Sequence, residues 1–558
     1  MPYAHDGKLP VIYVRGYAGG GSGINTAVND PFYGFNEGAV QVRVDGENRP
    51  RFHQFESPLL RLMTDHGYAL LVKGNQELYL EAQPDGTVPA ASIWVHRFYD
   101  EYASRMTKDP NAFSIEDAAD DLLTLVRLVL TKTGAPRVFL VAHSMGGLVV
   151  RSMLQRSAPD DQYLGHAPDA ATGLVDRVFT YATPHGGIEF AHGFGMLEKL
   201  RDLTGINGAD IFGPERMQEY LTPRTPEAIS AAATAEAAAV AALAAQGIED
   251  DVPEGSGFDA TRMPRTSFPV DRMFCLVGTN ADDYAVGLGI PKRLVGERSD
   301  GLVQIDNAAV KGAPRAFVHR SHSGPFGIVN SEEGYQNLQR FLFGDLEVVA
   351  NLTDVRLPGT RHDDITWQLE VTMSIRTLPV VLHEQSTAHL CPVQIEWRNG
   401  EDTTARPVPL VRTFLSSAAA RPTDADGKKV PTLRHVLGLR LVSLRDRNGL
   451  LSFFDHVENA PEWTDALVVD IGEVDGKRST WARWNADIGT PIRDYEPRPG
   501  VDPVVQDLAP DDPRYWKGRV PMPPITHQLL GPDAAVTLEV FPRSVLPSPQ
   551  DPGPVTVG

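Results

Sequence analysis

Short apolar runs alternate with helical patterns along the first third of the chain, an order typical of βαβ units. Val11–Val14 is one such run, and a glycine-rich segment follows it. Three more runs of strand length lie at residues 93–95, 138–141 and 178–181. The alternation predicts an α/β fold with a mostly parallel, doubly wound central sheet.

The helix predicted between Ser114 and Gly134 has the clearest boundaries. Ser114 suits the N-cap, the acidic residues that follow suit the helix dipole, and Gly134 suits the position after the last turn. Its apolar face has helical spacing and consists of Leu122, Leu125, Val126 and Val129. A second helix is predicted from Gly146 to about Leu154.

Residues 188–270 interrupt this rhythm. They contain an alanine-rich helix that begins after Thr225-Pro226 and ends before Gly247. Two interpretations stay open, a surface arm with high helix propensity or a mobile lid over a site. We predict a helical lid or cap inserted into the α/β domain.

Strand patterns return at residues 273–277 and 317–318. Asn330 and Glu333 form a capping-box pattern, which predicts a helix that ends near Gly344.

After Gly344 the hydrophobic period changes to two residues. Ile365–Ile375 alternates apolar with polar positions, which predicts a strand with one buried face. Asn448-Gly449 is a strong hairpin signal with a strand expected at 450–454. Further strands are predicted at 436–444, 466–471 and 536–541.

These patterns divide the chain into three parts. Residues 1–345 are predicted to be the α/β domain that contains the insertion, and residues 346–543 an all-β sandwich. Residues 544–558 are a proline-rich tail. The length of 558 residues is compatible with two to four domains.

Composition narrows the class of protein. Apolar residues make up 42% and charged residues 22%, as in ordinary globular proteins. The net charge of −20 argues against a nucleic-acid partner, which would require a basic face. Only two cysteines are present, which excludes a disulfide scaffold. Neither an apolar stretch of membrane-spanning length nor a secretory signal is visible, so we expect a cytoplasmic protein, with secretion not excluded.

The sharpest chemical signal is the run FLVAHSMGG at residues 139–147. An apolar strand leads into a tight turn at Ser144, and a helix begins directly after it, as in a nucleophile elbow. Ala142 and Gly146 flank the serine two residues on either side, where only small residues avoid a collision. The free N–H groups of the helix would face a developing oxyanion.

This run resembles the elbow of α/β-hydrolases, above all bacterial lipases and esterases, and is similar to that of the GPI inositol-deacylase group. The resemblance covers roughly residues 9–344 and implies the α/β-hydrolase fold. Four other segments fit the same superfamily in the same chain order.

The first two of these segments lie on either side of the elbow. Val14-Arg15-Gly16-Tyr17 resembles the lipase segment that donates an oxyanion-hole N–H, although Arg15 stands where histidine is usual. By this resemblance Tyr17 and Met145 would supply the two N–H groups. The segment ATPHGG at 182–187 resembles one in which the histidine, here His185, is usually structural.

The third segment, SDGLV at 299–303, resembles the segment that carries the triad acid. An Asp-Gly pair is also a common turn. The order Ser, Asp, His along the chain favours Asp300 as the acid. Asp282 and Asp283 remain alternatives because they follow the strand at 273–277 directly.

The fourth segment, VHRSHSG at 318–324, holds two histidines after the last predicted strand. His322 lies in the loop before the closing helix, where a catalytic histidine belongs. His319 remains an alternative that more simply ends the strand.

The sequence therefore predicts a serine hydrolase that cleaves carboxylic esters through Ser144, His322 and Asp300 and an acyl-enzyme. Its partner would be a small-molecule, lipid or polyester ester, with apolar insertion residues against the acyl chain: Phe190, Phe194, Met196 and Phe212. The same triad could serve an acyltransferase or a deacylase of a lipid-linked substrate. A catalytically silent scaffold with a binding β-sandwich is the non-enzymatic alternative. No cofactor is required, and no acidic spacing demands structural calcium; the oligomeric state stays open.

Overall fold

The structure of this chain is a computed structural model. It describes residues 8–16, 30, 32, 34–44, 49–71, 75–96, 98, 114–163, 170–189, 210–245, 258–283, 296–324, 326–360, 362, 365–398, 401–417, 430–445, 458–474, 477–512 and 515–543. The described residues form two compact units. The first comprises those up to Arg315 together with Arg320–Leu342, and the second comprises Ala316–His319 and those from Phe343 onward.

A parallel six-stranded sheet underlies the first unit, although Ala316–Val318 of its last strand cluster with the second unit. Its strands are β1 (Val11–Val14), β4 (Ile93–His96), β5 (Val138–His143), β6 (Val175–Tyr181), β7 (Met273–Gly278) and β8 (Arg315–Val318). Their order across the sheet is β4-β1-β5-β6-β7-β8. All residues of β1, β4, β6 and β7 are buried, as expected for a parallel sheet covered on both faces.

The described helices of this unit follow the strands. They are α1 (Pro58–His66), α2 (Gln76–Glu81), α3 (Ile115–Thr133), α4 (Met145–Ser152), α5 (Ala158–Tyr163), α6 (Ala171–Leu174), α7 (Pro214–Leu221), α8 (Pro226–Ala245) and α9 (Glu332–Phe343). A π-helical turn, Met153–Ser157, joins α4 to α5. None of the described helices combines the length and hydropathy that crossing a membrane requires.

The strand order creates a switch point at β1. The chain passes from β1 to β4 on one side, then returns to β5 on the other side of β1. Val14 pairs with His96 of β4 and with Ala142 of β5, so these strands end at the same edge. Open parallel sheets bind ligands in the crevice at such a point, beyond the carboxyl ends of the strands.

Helix ends mostly follow the sequence signals. Ser114 caps α3 by accepting a hydrogen bond from the Asp117 N–H, and Gly134 closes that helix in the left-handed conformation. The capping box predicted at Asn330 is wrong by one residue. Ser331 Oγ accepts the Gly334 N–H at 3.0 Å, whereas the Asn330 amide donates to the Gly34 carbonyl.

Several elements in residues 39–81 were not predicted. A two-stranded antiparallel hairpin joins β2 (Ala39–Val44) to β3 (Pro50–Phe55), and α1 and α2 follow it. Strand β3 is exposed at all residues except Phe55, so it lacks the buried face that makes a sequence pattern recognisable.

The second unit consists of two antiparallel sheets. One has the order β11-β10-β14-β15-β16, with β12 beside β10, and the other has the order β13-β9-β18-β17. Their bounds are β9 (Leu346–Thr353), β10 (Ile365–Ile375), β11 (Val381–Gln385), β12 (Val393–Gln394), β13 (Val408–Leu415), β14 (Leu433–Arg445), β15 (Glu458–Val474), β16 (Lys477–Trp484), β17 (Trp516–Pro521) and β18 (Ala535–Pro542). A short helix, α10 (His527–Leu530), precedes β18.

One hydrophobic core is shared by these two sheets. Val348 and Leu352 of β9 enter it with Leu369 of β10, Leu439 of β14 and Val536 of β18. The predicted alternation in β10 places Trp367, Leu369, Val371 and Met373 inside. The hairpin signal Asn448-Gly449, the strand expected at 450–454 and the tail at 544–558 lie outside the described residues.

Candidate functional site

Ser144 lies in the turn between β5 and α4. Its backbone has φ 53° and ψ −130°, a conformation that non-glycine residues rarely adopt. The Ser144 N–H donates to the Tyr181 carbonyl of β6, and the Thr183 hydroxyl donates to the Ser144 carbonyl at 3.0 Å. These bonds hold the strained turn, which projects the serine beyond the carboxyl end of β5.

Glycines allow the end of β1 to approach this turn. A Cβ placed at Gly16 would lie 2.7 Å from Ser144 Cβ, and one at Gly146 would lie 2.3 Å from the Arg15 carbonyl oxygen. Such distances are too short for real side chains, so only glycine fits at both positions. The segment after β1 and the first turn of α4 are thereby packed together.

His322 follows β8 and faces the serine. Its Nε2 atom is 2.9 Å from Ser144 Oγ, and its Nδ1 atom is 2.9 Å from Asp300 Oδ2. Since a carboxylate only accepts hydrogen bonds, Nδ1–H donates to Asp300, and Nε2 is left to accept the serine proton. All three residues are buried, with Ser144 the most exposed at 8%.

Asp300 is held by its own loop, which follows β7. Its Oδ1 atom accepts the N–H groups of Leu302 and Val303 at 3.0 and 2.8 Å, which leaves Oδ2 for the histidine. Gly278, the last residue of β7, makes room for this carboxylate, because a Cβ there would lie 2.8 Å from Asp300 Cβ.

A second imidazole, His143, lies beside the triad. His143 Nε2 is 3.0 Å from the His322 carbonyl oxygen, and the two ring centroids are 5.0 Å apart. Burial and the nearby His322 ring lower the pKa of His143 to about 3. His143 is therefore neutral at neutral pH.

Of the two residues predicted to supply oxyanion N–H groups, the structure describes Met145. The Met145 N–H lies in the first turn of α4, where backbone N–H groups have no acceptor within the helix. Tyr17 lies outside the described residues. Its neighbour Gly16 is packed against Ser144, and the role of Tyr17 stays a prediction.

The alternative site residues are exposed at the surface. His319 is exposed and stacks on His389, with ring centroids 3.7 Å apart. Asp282 and Asp283 are exposed, and both donate their backbone N–H groups to Asn280 Oδ1. Asp300 and His322 are thus the acid and the imidazole that the fold joins to Ser144.

His185 has a structural environment. The ring is fully buried, its Nε2 atom lies 3.1 Å from Thr180 Oγ1, and burial lowers its pKa well below the usual range. The Arg151 guanidinium donates to the carbonyls of His185, Ala260 and Arg262. This buried arginine on α4 therefore ties part of the 188–270 segment to the helix that follows the serine.

The 188–270 segment also begins beside the acid loop. Gln304 and Glu189 exchange two hydrogen bonds, and the Gly186 N–H donates to the Asn307 carbonyl. Phe212 is half-buried. Its carbonyl oxygen lies so close to Gly187 that a Cβ at this glycine would be 2.3 Å from it. The other predicted acyl-contact residues, Phe190, Phe194 and Met196, lie outside the described residues.

The described residues around Ser144 do not include a set of metal ligands. Among the residues that the structure describes, no group of three or more His, Cys, Asp or Glu side chains is placed to hold an ion. The arrangement instead contains a hydroxyl, an imidazole and a carboxylate in series, which is suited to general-base activation of a nucleophile.

Three groups that contact Ser144, His322 or Asp300 were not predicted from the sequence. These are His143, the Thr183 hydroxyl and the paired N–H groups of Leu302 and Val303. Thr183 and the two N–H groups lie within motifs that were recognised, but their partners become clear only when the loops meet. His143 precedes the serine, and its position in the motif was its one signal.

Two solved structures show a distant similarity to this chain. No protein-family model matches the chain. A gene product of Listeria innocua is similar at 12% identity over 60% of this chain and 94% of that one, with a TM-score of 0.24. Aspergillus fumigatus lipase B is similar at 11% identity over 57% of this chain, with a TM-score of 0.23. The match covers 46% of the lipase, and TM-scores this low do not establish a shared fold.

Proposed function

We propose that this protein is a serine hydrolase of carboxylic esters and that its first unit is an α/β-hydrolase domain. The observation that carries the proposal is the pair of 2.9 Å contacts that link Ser144 Oγ through His322 to Asp300. The positive φ of Ser144, the helix that begins after it and the chain order Ser, Asp, His support the same conclusion.

In the proposed reaction, Ser144 Oγ attacks the carbonyl carbon of the ester as its proton passes to His322 Nε2. Asp300 holds the imidazole in the tautomer that can accept this proton, and it stabilises the resulting cation. The imidazolium then protonates the leaving alcohol, which leaves an acyl-enzyme on Ser144. Water, activated by the same imidazole, releases the acid.

The negative oxygen of the tetrahedral intermediate requires hydrogen-bond donors. We propose the backbone N–H groups of Met145 and Tyr17 for this role. The packing of Gly16 against Ser144 supports it, since it brings the chain just before Tyr17 next to the reacting hydroxyl. Each such donor contributes about 3 kcal/mol to transition-state stabilisation in related chemistry.

The substrate is proposed to be an ester with an apolar acyl group, and the 188–270 segment to act as a lid. The lid role is supported by the bonds of this segment to Gln304, in the loop of Asp300, and to Arg151 of α4. The chemistry of the three residues requires no metal or cofactor, and we propose none.

Active-site labelling tests the proposal directly. A fluorophosphonate probe is expected to label the wild-type protein on Ser144, and hydrolysis of a short p-nitrophenyl ester is expected to accompany labelling. Ser144→Ala should lose both while retaining its thermal unfolding midpoint. Ser323→Ala, a matched change in the histidine loop, should retain both. An unlabelled but folded wild-type protein would favour the silent scaffold.

The acceptor of the acyl group is tested separately. We propose water, so the free acid should remain the main product when an alcohol is added to the ester assay. If the ester of the added alcohol became the main product, the same triad would belong to an acyltransferase.

A further inference from the structure

The histidine before the nucleophile forms a bridge between two loops of the site. His143 ends β5, and its Nε2 atom is 3.0 Å from the carbonyl oxygen of His322, which lies 179 residues further along the chain. A carbonyl oxygen can only accept, so the bridging nitrogen carries the proton. Ser144 and His322 are thereby joined through the neighbouring side chain as well as through their own contact.

This bond completes a set that holds His322 on three sides. The His322 N–H donates to the Asp300 carbonyl at 2.9 Å, and its Nδ1–H donates to the Asp300 carboxylate. Those two bonds fix the residue relative to the acid loop, whereas the bond from His143 fixes it relative to the nucleophile elbow. The distance from His322 Nε2 to Ser144 Oγ depends on how His322 is held relative to this elbow.

The state of charge of His143 suits this position. Protonated His322 would stand 5.0 Å, ring to ring, from a second imidazole, and two cations at that distance would repel each other. Burial and the proximity of His322 lower the pKa of His143 to about 3, so this ring stays neutral during turnover.

We propose that His143 is a positioning residue, which holds the backbone of His322 so that Nε2 meets the Ser144 hydroxyl. The inference rests on the proposed function, because it assigns His143 a role in the same reaction. It predicts that the hydrogen-bond donor at position 143 matters more than the shape of the ring.

The test compares two replacements at position 143 with a matched control. His143→Phe keeps a ring and removes the donor, whereas His143→Gln keeps an N–H donor without the ring. The control is His96→Phe. His96 likewise ends a parallel strand and contacts a backbone carbonyl, that of Ala118, through Nε2 at 2.8 Å, and burial lowers its pKa to about 4.

His143→Phe is expected to lower kcat for a p-nitrophenyl ester roughly tenfold with KM changed less than about twofold, because a small misplacement of the base slows the chemical step. His143→Gln should recover most of the loss, and His96→Phe should keep the wild-type kcat. Equal losses in His143→Phe and His96→Phe, or no recovery in His143→Gln, would overturn the proposal. If His143→Phe does not fold, His143→Ala replaces it with the same expectations.

A second readout does not depend on turnover. The Nδ1–H proton of His322 should give a far-downfield NMR signal, assigned by its loss in His322→Ala. The signal should shift in His143→Phe and stay unchanged in His96→Phe; an unchanged signal in His143→Phe would contradict the proposal. A wild-type protein with no esterase activity but with this shift would refute the proposed function and leave the positioning role intact.

Discussion

At the scale of single residues, the site depends on the backbone of Ser144. A non-glycine residue at φ 53° and ψ −130° carries strain of about 1–3 kcal/mol, which the surrounding structure has to compensate. The bonds to Tyr181 and Thr183 provide part of that compensation. In this conformation the Ser144 hydroxyl lies 2.9 Å from His322 Nε2.

The two histidines that follow β8 should differ sharply when replaced. His322→Ala removes the group 2.9 Å from Ser144 Oγ and should lower kcat by a factor on the order of 10⁴ or more. His319→Ala should change kcat by less than about threefold, because this exposed ring stacks on His389 and changes at such positions usually have small effects. Ester hydrolysis under saturating substrate measures both; the opposite ranking would move the base to His319.

At the scale of elements, the site exists because parallel strands end at one edge. Ser144 follows β5, the Asp300 loop follows β7, and His322 follows β8. One of the three side chains follows each of these strands, and glycines at the strand ends let the loops approach one another. Gly278 is the clearest case, since a Cβ there would lie 2.7 Å from the Arg320 carbonyl oxygen and 2.8 Å from Asp300 Cβ.

Gly278→Ala should therefore damage the site although it replaces none of Ser144, Asp300 and His322. The added methyl group would displace the Asp300 and His322 loops, so we expect kcat to fall at least about tenfold and unfolding to cost about 1–3 kcal/mol less. Gly489→Ala is the control, since no described atom lies within 4 Å of a Cβ there. A Gly278→Ala protein with wild-type kcat would show that the loops tolerate the displacement.

In the second unit, β14 carries a histidine whose burial makes stability depend on pH. Within the described part of the chain, neither ring nitrogen of His435 has a hydrogen-bond partner, and burial lowers its pKa to about 4. The unfolded chain binds the proton near pH 6.5, so the stabilisation is complete above that pH and declines as the pH falls toward 4.

His435→Leu should remove this contribution. Over that range the wild-type protein should lose about 3 kcal/mol of unfolding free energy through His435 alone, and the variant should lose correspondingly less. Urea unfolding of the second unit at several pH values between 4 and 7 measures the difference. Identical pH dependence in the two proteins would mean that His435 is not protonated on unfolding.

At the scale of the whole molecule, the residues of the proposed chemistry lie within one of the two units. Ser144, Asp300 and His322 all belong to the first unit, whereas the second is built of antiparallel sheets around its own core. The acidic balance of −20 agrees with an uncharged or weakly charged substrate better than with a polyanion.

A chain that ends at residue 345 should keep hydrolysis of a short p-nitrophenyl ester. It contains every strand of the parallel sheet, including Ala316–His319, which cluster with the second unit. The comparison is kcat/KM of the truncated and full-length proteins, with circular dichroism to show that the shorter chain folds. A folded but inactive chain would mean that the second unit completes the site.

By itself the sequence determined the features that depend on near neighbours. Apolar runs predict strands of the parallel sheet, and apolar periodicity with caps predicts the helix Ile115–Thr133. The small residues at 142 and 146 predict the turn at Ser144. The hairpin at 39–55 was not predicted, because its exposed strand β3 has no buried face that would produce an alternating pattern. The helix α9 is likewise capped by Ser331 and not by Asn330 as predicted, because the Asn330 amide donates to the Gly34 carbonyl.

Only the tertiary structure decided which distant groups meet. Sequence order left Asp282, Asp283 and His319 as alternatives to Asp300 and His322, because local patterns do not encode the distance between two loops. The strand order brings the ends of β5, β7 and β8 to one edge, and close packing at Gly16, Gly146 and Gly278 closes the remaining gaps. The same packing gave His143 its partner, since a backbone carbonyl carries no signature in the sequence.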